Sequence, residues 1–227
     1  MGQIYNSKKL MDDIARLQSS HDLIELLSGI QQSMAIYESG IQEVLTKLEI
    51  LQRDARFSKH NPIESIKSRV KSPMSILEKM HRKGFPISLE SIKTNLNDIR
   101  IRVICPFIED IYTVADMLTR QDDLKVVEKK DYIQNPKPNG YRSYHLVLSV
   151  PVFLSDHKEL VRVEVQLRTI AMDFWASLEH QIHYKASHEV PDCVVGELRE
   201  CADIISQTDQ RMQRLSKQIR CMEDKKD

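Results

Sequence analysis

Along residues 8–56 apolar positions recur every three or four residues, with no proline to interrupt them. Ile14, Leu17, Ile24 and Leu27 form one series, and Ile41, Val44, Leu45, Leu48 and Leu51 form a second. That period predicts amphipathic helix, with Gly29 and Gly40 as candidate breaks. The pattern then changes. Residues 57–72 (FSKHNPIESIKSRVKS) are polar and basic and read as a connector. Ser72-Pro73 should open a short helix, because serine suits the N-cap and proline the first helical position. This helix should end near Gly84, ahead of Pro86.

Beyond it the periodicity shortens to two. Residues 99–105 (IRIRVIC), 124–128 (LKVVE), 144–150 (YHLVLSV) and 161–168 (VRVEVQLR) read as strands, the last alternating apolar with polar in the manner of a half-buried strand. Helices are expected at 108–120 and 169–186. In the second of these, Ala171, Trp175, Leu178 and Ile182 line one face, and Asp173, Ser177 and His180 another. Near the C-terminus Leu198, Cys201, Ile205, Thr208, Met212, Leu215, Ile219 and Met222 form a heptad seam with one weak position, Thr208. Two uses of that seam stand side by side: packing on the N-terminal helices of the same chain, and a subunit interface.

At 227 residues the chain suits one sizeable domain with helical extensions. Lys plus Arg equals Asp plus Glu, so the net charge is zero and any basic site must be local. No apolar run approaches the roughly 18 residues of a membrane span, and the N-terminus matches neither a signal peptide nor the myristoylation pattern. The four cysteines lack CxxC spacing and read as reduced thiols. A cytoplasmic location follows as the expectation.

Four segments carry candidate chemistry. In RVKSPMSILEKMHRKG (69–84), a helix from Pro73 places Ser75, Lys79 and Arg82 on one stripe, with Arg69 and Lys71 just ahead. Such a cationic face suits a polyphosphate, though a solvated basic face has the same pattern. The loop NPKPNGYRSYH (135–145) packs Lys137, Tyr141, Arg142 and His145 beside a bend. Tyrosine can stack on a base, and the cations can contact phosphate; an ordinary strand connection is the alternative. In VRVEVQLR, Glu164 lies among cations on the face opposite the valines. It suits a metal ligand or a base, and otherwise a salt bridge with Arg162 or Arg168. The helix RTIAMDFWASLEHQIHYK (168–185) lacks the HExxH order, so structural packing is favoured over zinc at His180 and His183.

In order, these segments resemble the motifs of the small alarmone synthetases, single-domain relatives of the Rel/Spo enzymes that make (p)ppGpp. The resemblance runs from about residue 60 to 186. It implies an α/β (α+β) fold, a mixed β-sheet flanked by helices and related to nucleotidyltransferases. The chain then divides into N-terminal helices (1–58), a synthetase domain (59–190) and a C-terminal helix (191–227). The implied activity moves pyrophosphate from ATP to the 3′-hydroxyl of GTP or GDP, with the choice among GTP, GDP and GMP left open. Arg69, Lys71, Ser75, Lys79 and Arg82 match ATP-holding positions, and Arg102 matches an arginine that stacks on adenine. Asp98 and Glu164 match the Mg²⁺-binding acids. Lys137, Tyr141, Arg142 and His145 match the loop that receives the guanine nucleotide, with Gln166 and Asp173 nearby. A homotetramer built with C-terminal helices is implied as well.

The chain departs from the family at Asp98-Ile99-Arg100-Ile101-Arg102, one residue shorter than the usual D-I-A-G-x-R. Either Asp98 or Asn97 fills the first acid's slot, and Arg100 stands where a small residue is usual. His21-Asp22 has no companion metal-binding histidines, so hydrolase activity is not expected. Two other readings remain at this stage: a transferase acting on the tRNA 3′ end, which net charge zero disfavours, and a non-catalytic nucleotide- or RNA-binding oligomer.

Overall fold

A computed structural model describes residues 20–57, 60–70, 81, 84, 85, 99–185 and 191–223. The expected helix from Ser72-Pro73, the residues Asn97 and Asp98, and the start of the N-terminal helical region lie outside the described residues. His81 is helical, and Gly84 follows at φ +69°, donating its N–H to the His81 carbonyl at 3.0 Å. That left-handed conformation favours glycine.

The elements in chain order are α1 (Ser20–Asp54), a 3₁₀ turn (Ala55–Phe57), β1 (Ser65–Val70), β2 (Ile99–Cys105), α2 (Ile108–Thr119), β3 (Lys125–Asp131), β4 (Tyr144–Phe153), β5 (Lys158–Thr169), α3 (Ile170–Lys185) and α4 (Asp192–Glu223). The strands form one mixed sheet in the order β1-β2-β5-β4-β3. Only β2 and β5 run parallel; the other neighbours are antiparallel.

The sheet explains the alternation in the sequence. Ile99, Ile101 and Val103 of β2, Val161, Val163, Val165 and Leu167 of β5, and Leu146, Leu148 and Val150 of β4 share one face through their register. That face joins Ile41, Val44 and Leu48 of α1 and Ile111, Val114 and Leu118 of α2 in a single buried core. Burial of such side chains contributes about 25 cal/mol per Å² of apolar area, so this layer holds the domain together. The opposite face carries Arg100, Arg102, Glu164, Gln166, Arg168 and His145.

Three expectations are corrected. Residues 65–70 are not connector but an edge strand, paired with β2 from Ser65↔Ile104 to Val70↔Ile99. Its serines and cations are tolerated because an edge strand is half exposed. Gly29 and Gly40 do not break α1. A Cβ on Gly40 would lie 2.7 Å from Val161 Cγ1, so the glycine permits close approach of helix to sheet. In α3, Met172 and Trp175 are buried, whereas Leu178 and Ile182 join Ile170 and Phe174 on an exposed stripe.

The second half of the C-terminal helix packs through residues off its seam. Asp209 and Gln213 are buried. The Thr169 hydroxyl donates to Asp209, and Gln213 accepts from the Glu109 N–H at 3.0 Å. The Trp175 indole donates to the Leu198 carbonyl at 2.9 Å. These contacts seat α4 on α2 and α3, while Met212, Leu215, Ile219 and Met222 of the seam are exposed.

Candidate active site

The polar face of β2, β5 and β4 converges on Glu164. Its Oε1 accepts from His145 Nδ1 at 2.8 Å and from Gln166 Nε2 at 3.0 Å. Its Oε2 accepts from Arg100 Nε at 3.1 Å. Burial by itself would raise this carboxyl's pKa; the His145 and Gln166 hydrogen bonds and the Arg100 charge outweigh it and hold the group at about 2. Glu164 is therefore firmly ionised. Its partners are Arg100 and His145, not the Arg162 or Arg168 that adjacency on the strand suggested.

His145 links this carboxylate to the loop. Burial leads in lowering its pKa, against the opposing pull of Glu164. The ring is neutral at pH 7, with Nδ1–H donated to Glu164, so Nε2 is left to accept from the Tyr141 hydroxyl at 2.9 Å. Tyr141 in turn accepts from Arg168 Nη2 at 2.7 Å. Arg168 is buried and also donates to Gln166 Oε1 at 3.1 Å and to Asp173 Oδ1 at 3.2 Å. The chain Glu164–His145–Tyr141–Arg168–Asp173 thus fixes the tyrosine by its hydroxyl end.

Two rings hold a cation at the loop. The Lys137 ammonium lies 4.8 Å from the Tyr132 ring centroid and 4.9 Å from that of Tyr141. Both distances are within cation–π reach. Tyr132 also meets the His145 ring edge-on at 5.1 Å. The sequence reading gave Tyr132, just past the end of β3, no role, although it falls within the segment KDYIQNPKPNGYRSYH that carries the family resemblance. It also missed Lys67 of β1, whose Nζ lies 3.8 Å from Asp173 Oδ2. Arg102 approaches the same carboxylate at 3.0 Å.

The structure therefore brings together Arg102, Lys137, Tyr141, His145, Glu164, Gln166, Arg168 and Asp173. Arg142 is turned the other way, toward α4: it donates to the Ala202 carbonyl at 3.2 Å and to Asp203 Oδ1 at 2.9 Å. Arg69 lies in β1 opposite Arg100. Lys71, Ser75, Lys79 and Arg82 are outside the described residues, as is Asp98. Among the described side chains, Lys67, Arg100, Arg102, Lys137 and Arg168 surround two carboxylates, Glu164 and Asp173. Five cations against two anions make a local positive field in a chain of zero net charge, which suits polyphosphate.

The family described as a region found in RelA / SpoT proteins matches residues 68–189. A GTP pyrophosphokinase of Bacillus subtilis, YwaC, is 44% identical over 200 residues, covering 87% of this chain and 95% of that protein. The chain belongs to the RelA/SpoT family. Among solved structures, small alarmone synthetase 1 of Bacillus subtilis bound to its product pppGpp superposes with a TM-score of 0.78 at 36% identity, covering 83% of this chain and 97% of that one. Small alarmone synthetase 2 of the same organism gives 0.76 at 44% identity, covering 83% and 98%. RelA/SpoT membership accounts for the mixed sheet.

Proposed function

We propose that this RelA/SpoT chain is a GTP pyrophosphokinase, which transfers the β,γ-pyrophosphate of ATP to the 3′-hydroxyl of GTP or GDP. The products are pppGpp or ppGpp, and AMP. The observation that carries this reading is an ionised Glu164 at the centre of a cationic sheet face, tied through His145 to a tyrosine-bearing loop. In this reading Tyr141 stacks on the guanine, and Lys137 and Arg168 lie beside its phosphates. Arg102, with the 69–82 segment, takes ATP.

The attacking 3′-oxygen forms a bond to the β-phosphorus of ATP as the bond from that phosphorus to the α-phosphate oxygen breaks and AMP leaves. The protein's part is to align the two oxygens and neutralise charge. Glu164 at a pKa of about 2 is a weak proton acceptor, so its carboxylate serves better as a fixed negative ligand than as a general base. Mg²⁺ fits such a site, since it is commonly held by one or two carboxylates with substrate phosphates completing its shell. Glu164 and either Asp98 or Asn97 would hold the ion, which when bound draws charge off the transferred phosphates. Arg100 donates to Glu164 Oε2 at 3.1 Å and offsets part of this carboxylate's charge.

The exposed apolar stripe of α4 favours assembly through that helix, which we assign to a cytoplasmic homotetramer. Among the described residues no helix is long and apolar enough to cross a membrane. ATP labelled in its terminal phosphate, incubated with Mg²⁺ and GTP, GDP or GMP in parallel, tests the activity. Label on a free guanine nucleotide, with AMP released in equal amount, is expected. Label on added tRNA instead, or nucleotide binding with no turnover, would overturn the proposal.

A further inference from the structure

The loop that carries Tyr141 is fastened to the C-terminal helix. Lys137 and Gly140 close a tight turn, with the Gly140 N–H donated to the Lys137 carbonyl at 2.8 Å and the Lys137 N–H donated to the Tyr141 carbonyl at 3.2 Å. Gly140 has φ +88°, a conformation that favours glycine. A Cβ there would also lie 2.6 Å from the Ala202 Cβ of α4, so the turn and the helix touch with no room for a side chain. Arg142 spans the junction. Its Nη1 donates to the Gly140 carbonyl at 3.0 Å and to the Ala202 carbonyl at 3.2 Å, while Nη2 meets Asp203 Oδ1 at 2.9 Å. A carbonyl has two acceptor sites, so Ala202 can take this bond beside its helical one. Arg142 is largely buried and Asp203 half exposed. The guanidinium is therefore committed to the helix, with its charge answered by Asp203 rather than left for a ligand.

We propose that Arg142 is a positioning residue: by locking the 137–141 turn onto α4, it makes the seating of the C-terminal helix set the placement of Lys137 and Tyr141 in the acceptor pocket. The proposal rests on the guanine-nucleotide reading of that pocket. It differs from a direct phosphate contact by Arg142 because the same effect must arise from Asp203, a carboxylate that cannot itself hold a phosphate. The C-terminal half of α4 carries the exposed stripe, on the same helix that holds Arg142. Trp175, the single tryptophan of the chain, donates to the Leu198 carbonyl of α4 and lines the same cleft as Gly140, Arg142 and Ala202, so its fluorescence reports how α4 sits.

The test varies GTP and ATP separately for the wild type, Arg142→Ala, Arg142→Lys, Asp203→Ala and the double Ala variant, with GDP affinity measured by calorimetry. Charged hydrogen bonds of this kind correspond to about a tenfold change in an equilibrium. Arg142→Ala and Asp203→Ala should each raise the KM for GTP and the Kd for GDP by about tenfold, and leave the KM for ATP within about twofold. Both should shift the Trp175 emission. The double variant should be no worse than the worse single one, and Arg142→Lys should recover part of the loss. An unchanged acceptor KM in Asp203→Ala, beside a raised one in Arg142→Ala, would overturn the proposal in favour of direct contact. Equal rises for both substrates would overturn it in favour of a general structural role. Asp203→Ala removes a half-exposed group and keeps the test intact should Arg142→Ala fail to fold. A wild type that turns over with ATP and GTP while these variants behave like it sinks only the positioning role; a wild type with no turnover sinks the functional reading itself.

Discussion

The two faces of the same sheet are built from the same strands and do opposite work. On one face β2, β5 and β4 present Ile101, Val163, Val165 and Leu148 to α1 and α2, and these side chains are fully buried. On the other, one residue along each strand, lie Arg100, Glu164, Gln166, Arg168 and His145. The first face gains from every methylene removed from water. The second holds desolvated charges whose mutual attraction roughly repays the cost of burying them. Arg168 Nε is even buried with no hydrogen-bond partner among the described residues. A polar face wired through five side chains, one of them with an unpaired buried nitrogen, is explained by what it binds.

The largest effect should come from the centre of the polar face. Glu164→Gln keeps the shape and the acceptor for His145 but removes the charge. Transfer should fall by about three orders of magnitude, the scale seen when preorganised charge is taken from a reacting centre, as measured by AMP release. Its thermal midpoint should fall as well, because the hydrogen bonds and charge that lower this carboxyl's pKa stabilise the folded state. Retained turnover would remove Glu164 from the chemistry. Leu148→Ala, on the apolar face, should affect stability alone. It should cost about 2–5 kcal/mol in urea unfolding and leave kcat per folded molecule unchanged. A fall in kcat per folded molecule comparable to that of Glu164→Gln would mean that the faces are not separable.

Acid sharpens the contrast. Glu164 titrates at about 2 in the folded, metal-free protein, against an ordinary 4.5. The unfolded chain therefore takes up this proton first. The contribution is complete above pH 4.5 and is lost as pH falls toward 2. At about 1.4 kcal/mol per pH unit, it amounts to about 3 kcal/mol. The pKa of His145 is lowered by burial, so it adds a loss of the same sign that begins below its ordinary 6.5. Stability followed by denaturant titration from pH 7 to pH 3 should fall steadily, and Glu164→Gln should flatten the part below pH 4.5. An unchanged slope in that variant would show that the carboxylate is not held as the hydrogen bonds imply.

The apolar face was nearly all legible in the sequence. The alternation in IRIRVIC and VRVEVQLR marks β2 and β5 because a two-residue period has one meaning when half of it is valine and isoleucine. The edges were not legible. In β1, Ser65, Lys67 and Ser68 follow no burial pattern, since an edge strand draws its order from the neighbour's hydrogen bonds. On the polar face the motif gave residue types but not directions. Arg142, at the end of the loop, and His145, at the start of β4, sit three residues apart, yet one reaches α4 and the other Glu164. Tyr132 joins the site through the pairing of β3 with β4, which no local pattern encodes. The heptad seam was read correctly as a stripe. That the second half of α4 packs through Asp209 and Gln213 and leaves Met212, Leu215, Ile219 and Met222 outside depends on partners more than 30 residues away.

The smallest effect tests how the apolar face closes. Gly40 sits mid-helix in α1, where alanine ordinarily gains about 1 kcal/mol. Here the added methyl would meet Val161 Cγ1 at 2.7 Å and Cβ at 3.0 Å. Val161 is buried in β5 and branched at Cβ, so it cannot swing aside without disturbing Val150, its partner across the sheet. Overpacking of this kind costs about 1–3 kcal/mol, which exceeds the gain in propensity. Gly40→Ala should therefore destabilise the fold by about 1 kcal/mol. Val161→Ala alone should also destabilise it, by opening a cavity. Combined, the two changes should cost less than their sum, with a coupling of about 1 kcal/mol in a double-mutant cycle. A stabilised Gly40→Ala would mean that helix and sheet are not in close approach at this point, and that the glycine is merely a tolerated weak spot in a long helix.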